Sequence, residues 1–121
     1  MPTIIRKGAA WFAALGPEGS GGTAQFSVSG HVEKPQNLEL PMGIPFRDLL
    51  ELCGGVWKGR KLKAVIPGCS SCKVLPADVI MDCTMDYNSL MEAGSSFGTG
   101  AVMVMDETTC MVKVLRRISR F

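Results

Sequence analysis

Residues 23–53 read TAQFSVSGHVEKPQNLELPMGIPFRDLLELC, and two periodicities meet inside that stretch. From Thr23 to Val32, Phe26, Val28 and Gly30 alternate with Gln25, Ser27 and Ser29. Period two sends successive side chains to opposite faces, so this is a half-buried strand. Glu33–Asn37 reads as a turn, and Leu38-Glu-Leu-Pro41 returns with Leu38 and Leu40 inward. Residues 23–42 are therefore expected to pair as an antiparallel β-hairpin. After Gly43-Ile-Pro45 the period changes. Phe46, Leu49, Leu50 and Cys53 fall at i, i+3, i+4 and i+7, the apolar stripe of a short helix. Pro45 suits its start and Gly54-Gly55 its end.

Working outward, Leu62–Ile66 reads as a strand cut off by Pro67-Gly68. A looped stretch follows, with Cys69-Ser-Ser-Cys72 and Val74-Leu-Pro76. Asn88–Ala93 is expected to be a helical turn, begun at Asp86 and ended by Gly94. Ala101-Val-Met-Val-Met105 is a continuous apolar run, the pattern of a central strand covered on both faces. The helix near 46–53 should pack across the sheet holding 62–66 and 101–105. Asp106 or Thr108 is placed as the cap of a last helix, with Met111, Val112, Leu115 and Ile118 inward and Arg116, Arg117 and Arg120 near its C-terminal end. At the other end, Ile4, Trp11 and Leu15 share a face with Ile5 and Phe12 beside them. A packed amphipathic helix over 4–15 is expected, stopped by Gly16-Pro17, with the glycine-rich loop 16–22 behind it. Neither terminal helix has the usual flanks, and the sequence reads as a piece of a longer chain.

The chain has 121 residues, 46% hydrophobic and 20% charged, with a formal net charge of +2. That suits one domain with one modest core and excludes whole-chain disorder. The short basic clusters, Lys58–Lys63 and Arg116–Arg120, are mixed with apolar residues and read as solvated faces, so no nucleic-acid partner is expected. No apolar run approaches the ~18–20 residues of a membrane span, and the 8–15 stretch reads as helix rather than signal peptide. Five cysteines, an odd number, favour a reducing compartment. Eight methionines fit an adaptable core.

The residues alone offer little chemistry. Cys69-x-x-Cys72 has the spacing of a zinc or redox pair, but the remaining candidates, Cys53, Cys83, Cys110 and His31, form no second pair, and no helix is read after the motif. The two thiols are read as ordinary loop thiols. His31 is the only histidine, and no GxSxG elbow presents a serine to it. Asp82 with Asp86 and Asp106 with Glu107 are read as caps or solvated groups. No GxGxxG or GxxxxGK[ST] occurs. Gly94-Ser-Ser-Phe-Gly-Thr-Gly100 has the composition of an anion nest, but a tight connection into the next strand accounts for it. The residues by themselves thus describe a small mixed α/β domain with no site residue to assign: catalytic none, cofactor-binding none, metal none.

Taken together, Phe26-Ser-Val-Ser-Gly-His-Val32, Cys53-Gly-Gly-Val56, Lys61-Leu-Lys-Ala-Val-Ile-Pro-Gly68 with Ser70-Ser71, Val74-Leu-Pro76 and Gly100-Ala-Val-Met-Val-Met-Asp-Glu-Thr-Thr109 resemble one region of one family. It is the NADH-binding, flavin-carrying 51-kDa component of bacterial complex I (NADH:quinone oxidoreductase). The diaphorase subunits of NAD-linked hydrogenases and formate dehydrogenases are related to it. The resemblance covers nearly the whole chain and implies an α+β fold. This is the ubiquitin-like β-grasp of an SLBB domain with flanking helices.

The implied organisation is an N-terminal helix and glycine-rich loop (1–22), the SLBB β-grasp domain (23–105) and the truncated start of a helical iron–sulfur domain (106–121). The family places its FMN and NADH groups upstream of Met1 and its [4Fe-4S] ligands beyond Phe121, so no cofactor is expected within this chain. Where relatives commonly carry Pro-Gly-Gly-Ser-Ser, this chain has Pro67-Gly68-Cys69-Ser70-Ser71, followed by Cys72. The implied role is a structural spacer between flavin and cluster domains. Its partners would be the rest of the parent subunit and neighbouring complex I subunits. Its location would be the peripheral arm, on the cytoplasmic side of the inner membrane and without membrane insertion. The alternative is a stand-alone small-ligand-binding β-grasp module or a subunit of a related NAD-linked hydrogenase or formate dehydrogenase diaphorase, and a zinc or thiol redox protein built on Cys69 and Cys72 is a third reading.

Overall fold

A computed structural model of the chain describes residues 1–121. Its elements in order are α1 (Pro2–Lys7), α2 (Ala9–Ala13), β1 (Thr23–Gly30), β2 (Gln36–Pro41), α3 (Phe46–Leu52), a 3₁₀ turn (Trp57–Gly59), β3 (Leu62–Ile66), β4 (Leu75–Pro76), α4 (Ala77–Ile80), α5 (Tyr87–Glu92), β5 (Ala101–Asp106) and α6 (Met111–Ile118). The five strands form one sheet in the order β2-β1-β5-β3-β4. The expected hairpin is present: β1 and β2 pair antiparallel, with Phe26 opposite Leu38 and Val28 opposite Gln36. β5 lies at the centre, parallel to β1 and antiparallel to β3. A hairpin, a helix across it and a last strand inserted parallel to the first make this a β-grasp.

The periodicity change at residues 43–46 is what builds the core. Phe26 and Val28 of β1, Val65 of β3, and Val102 and Val104 of β5 point to one face, and Phe46, Leu49, Leu50 and Cys53 of the α3 region pack onto them. Phe97 meets Phe26 edge to face, with ring centroids 5.6 Å apart. Fully burying each such side chain stabilises by about 1.5–3 kcal/mol. The opposite face carries a second, smaller cluster of Ala64, Ile66 and Met105, covered by Met111, Val114 and Ile118 of α6 and flanked by Cys72. β5 is thus covered on both sides, as its continuous apolar run requires.

Five expectations need correction. The single packed helix over 4–15 is two short helices broken at Gly8, whose φ of 90° leaves the helical region, and neither buries a residue. Ile5 stays 77% exposed. Gly30 does not face inward. Its φ is 89°, and a Cβ there would stand 2.3 Å from the Val104 carbonyl oxygen, so β1 approaches β5 more closely than an L side chain permits. The inward face of α6 is Met111, Val114 and Ile118, whereas Val112 and Leu115 are 75% and 67% exposed. The helix starts at Met111, its N-cap Cys110 makes no side-chain cap bond, and the candidate caps Asp106 and Thr108 bond to each other instead. Finally, Leu75-Pro76, read as part of a loop, is β4 and pairs antiparallel with β3, and α4 follows it directly.

Candidate functional site

The polar groups of the chain converge at one end of the sheet, where β5 leads into α6. Asp106 is the last residue of β5 and is fully buried. One carboxylate oxygen accepts the Thr108 N–H (2.9 Å) and hydroxyl (2.6 Å) and faces the Thr109 hydroxyl at 3.4 Å. The other accepts from Arg60 at 3.2 Å. A buried carboxylate persists only when paired and hydrogen-bonded in this way. The Thr108 hydroxyl, opposed by burial and assisted by Arg60, the Thr108 N–H and His31, holds the Asp106 pKa down at about 2.

His31 joins this cluster from the end of β1. Its N–H donates to the Val104 carbonyl (2.8 Å), and its ring Nδ1 accepts the Asp106 N–H at 3.2 Å. The ring stacks on Trp57, with centroids 6.2 Å apart and planes 11° apart. Lys58 and Arg60 also lie over the Trp57 ring, at 4.4 and 5.4 Å from its centre. The Trp57 N–H donates to the His31 carbonyl at 3.0 Å. Lys63 of β3 donates to the Thr109 carbonyl at 2.6 Å. The cluster therefore ties the end of β1, the 3₁₀ turn, the start of β3, the end of β5 and the start of α6 together. Beside it, a groove of about 570 Å³ runs between the second sheet face and α6, with Ile66, Met103, Met105, Lys113 and Arg117 among its lining.

This geometry positions elements and does not activate a nucleophile. A relay needs the acceptor and the nucleophile on opposite ring nitrogens. Here the Thr109 hydroxyl (3.2 Å) and the Asp106 carboxylate (3.4 Å) both lie at Nδ1. Asp86, read as a cap or solvated group, caps α5 by accepting the Ser89 N–H (2.7 Å), and Asp82 is exposed opposite Arg47 at 3.6 Å. Asp106 overturns the same reading, being buried and networked. Three N–H groups of the 94–100 loop are bonded to carbonyls: Thr99 to Gly68 (2.9 Å), Gly100 to Phe97 (3.2 Å) and Ser95 to Leu90 (2.9 Å). These bonds hold the loop against the turn after β3 on its way into β5.

The five cysteines are free and dispersed. Cys53 and Cys83 sit in the main core, where burial pushes both thiols up. Cys110 is exposed at the start of α6, and the Lys113 and Val112 N–H groups lower it. Cys69 and Cys72 lie in the turn after β3. Cys69 has a φ of 126°, a region that costs a non-glycine residue about 1–3 kcal/mol. A [4Fe-4S] cluster takes four thiolates. No three His, Cys, Asp or Glu side chains come together to hold a metal ion, so the residues of this chain do not fit such a cluster. No helix is long and apolar enough to cross a membrane.

Sequence reasoning missed the cluster around Asp106. The Asp106-Glu-Thr-Thr109 string carried a signal, since Asp and Thr side chains bond locally to backbone two residues on. Arg60 and Trp57 gave none, because they reach Asp106 and His31 only through the pairing of β3 with β5 and the turn before it.

The sheet order, the helix across it and the polar junction define an SLBB-type β-grasp, and the SLBB domain model matches residues 24–104; the chain belongs to that family. Over its full length the chain is 47% identical to the F chain of NADH-quinone oxidoreductase from Rickettsia bellii and 45% identical to that from Rhodobacter capsulatus. It spans about 30% and 28% of the length of those two relatives. Among solved structures, an NAD+-reducing [NiFe]-hydrogenase in the air-oxidized state superposes with a TM-score of 0.81 at 28% identity. That match covers 98% of this chain and 20% of the hydrogenase chain.

Proposed function

We propose that this chain is the SLBB segment of an NADH:quinone oxidoreductase flavoprotein subunit and acts there as a rigid spacer. The carrying observation is the full-length identity of 45–47% to the F chains of that enzyme. In the parent, the chemistry is hydride transfer from NADH to FMN and single-electron transfer to a [4Fe-4S] cluster. No residue of this chain takes part in it. What its residues do is fix geometry: the Asp106 network sets the direction in which α6 leaves the sheet. The exposed Val112 and Leu115 give α6 an apolar outer stripe for the helical domain of the parent to cover. The proposed site is the peripheral arm of the complex, on the cytoplasmic side of the membrane, among the neighbouring complex I subunits.

Two measurements test this. Residues 1–121 are exchanged for the aligned segment of the Rhodobacter capsulatus protein, and NADH-dependent reduction of an artificial acceptor is followed. Activity within about threefold of the parent is expected, and loss with a folded parent chain would count against the reading. Isothermal titration of the chain alone with FMN and with NADH should show no micromolar binding. Micromolar affinity for either would overturn the spacer role in favour of a ligand-binding module.

A further inference from the structure

Cys69 and Cys72 are the one motif that the spacer reading leaves unused. The Cys72 N–H donates to the Cys69 carbonyl at 2.9 Å, closing a β-turn with the two cysteines at its first and fourth positions. Such a turn brings its end Cα atoms within about 7 Å, and a disulfide spans about 4.4–6.8 Å between Cα atoms. The Cys72 sulfur faces the 94–100 loop, 3.0 Å from Ser96 Oγ, and the Cys69 sulfur lies 3.8 Å from Ser70 Oγ inside the turn. Both residues are half-buried and reachable from solvent. The N–H of Ser71, with the hydroxyl and N–H of Ser70, lowers the Cys69 thiol and so favours its thiolate.

We propose that Cys69 and Cys72 are a reversible dithiol–disulfide pair whose oxidant is a low-molecular-weight disulfide, and that oxidation loosens the 94–100 loop from the 68–73 turn. The Cys69 thiolate attacks one sulfur of the small disulfide, forming a mixed disulfide and releasing one thiolate. Cys72, on losing its proton, attacks the Cys69 sulfur and releases the second. The protein dithiol is oxidised by two electrons, the small disulfide is reduced to two thiols, and the two protein protons end on them. Oxidation removes the thiol hydrogen from the Cys72–Ser96 contact and draws that sulfur toward Cys69. The loop then keeps the Ser95 hydroxyl bond to the Lys73 carbonyl (2.7 Å) and the Thr99 N–H bond to Gly68 (2.9 Å).

The test equilibrates the full chain in mixtures of reduced and oxidised glutathione, quenches with acid, alkylates under denaturing conditions and digests with trypsin. Residues 64–73 form one peptide that holds Cys69 and Cys72 and no other cysteine. Under oxidising mixtures this peptide should lose both alkyl groups and appear lighter by two hydrogens, reverting with dithiothreitol. In Cys69→Ser, the same peptide should instead carry one glutathione on Cys72. A wild-type peptide that stays doubly alkylated, or that carries a glutathione on each thiol, overturns the pair. Amide hydrogen exchange across residues 94–100 should speed up about fivefold or more on oxidation. Unchanged exchange in a fully oxidised sample overturns the loosening.

Discussion

Replacing Gly30 with alanine probes the closest approach in the sheet and, through it, the junction at Asp106. The new Cβ would stand 2.3 Å from the Val104 carbonyl oxygen, while ordinary contacts begin at 3.4 Å, so the strands must part by about 1 Å. That carbonyl also accepts the His31 N–H at 2.8 Å, a bond that such a shift carries beyond hydrogen-bonding distance. A non-glycine residue in the left-handed region costs about 1–2 kcal/mol. Crowding adds about 1–3 and the lost bond about 0.5–1.5 kcal/mol. The stiffer unfolded chain returns about 0.4–1 kcal/mol. The net expectation is a loss of about 4 kcal/mol, or roughly 16 °C in Tm for a chain of this size. Gly55→Ala is the control, because its φ is 81° with nothing within 4 Å of the added Cβ. It should cost about 1 kcal/mol or less. Urea denaturation followed by circular dichroism gives both values. Equal losses, within about 0.5 kcal/mol, would show that the approach of β1 to β5 has been misjudged.

The buried carboxylate gives an acid signature. Because Asp106 is held at about 2, against 3.8 for the unperturbed group, its contribution to stability is complete above about pH 4 and fades as the pH falls through 2. The gap in urea midpoint between wild type and Asp106→Asn should therefore narrow from pH 5 to pH 2; a constant gap would mean that the carboxylate is not what the network holds. On α6, Val114→Asp puts a charge against Ile66 and Met105 and should cost about 2 kcal/mol, whereas Val112→Asp on the exposed side should stay within about 0.5 kcal/mol, with thermal melts separating the two. The reverse order would restore the inward face read from the sequence.

What the sequence disclosed, it disclosed through local pattern. Alternation over 23–32 and the stripe Phe46, Leu49, Leu50 and Cys53 are decided by neighbours within one or two turns, and both elements are where they were expected. The errors fall where a distant contact overrides pattern. In α6 the apolar residues Met111, Val112, Val114, Leu115 and Ile118 span too wide an arc to say which part packs inward; the cluster of Ala64, Ile66 and Met105 selects the side bearing Val114. In the N-terminal segment, Ile4, Trp11 and Leu15 do share a helical period, but Gly8 sits between them and its backbone turns the chain.

Asp106 shows why a junction escapes a reading made from one end of the chain to the other. Its partners come from positions 31, 60, 108 and 109, and only the last two are near it in sequence. The parallel pairing of β1 with β5 delivers His31, and the antiparallel pairing of β3 with β5 delivers Arg60. A carboxylate with several partners is more costly to displace than one with a single partner, because each freed donor or acceptor would itself be left buried. The turn after β5 is thereby held on three sides, and α6 starts shortly beyond the end of that anchored strand, at Met111, with Lys63 fixed to the Thr109 carbonyl between them. The proposed spacer role asks for rigidity after β5 more than for a reactive group, and the turn after β5 is where the chain gathers the buried polar bonds of Asp106.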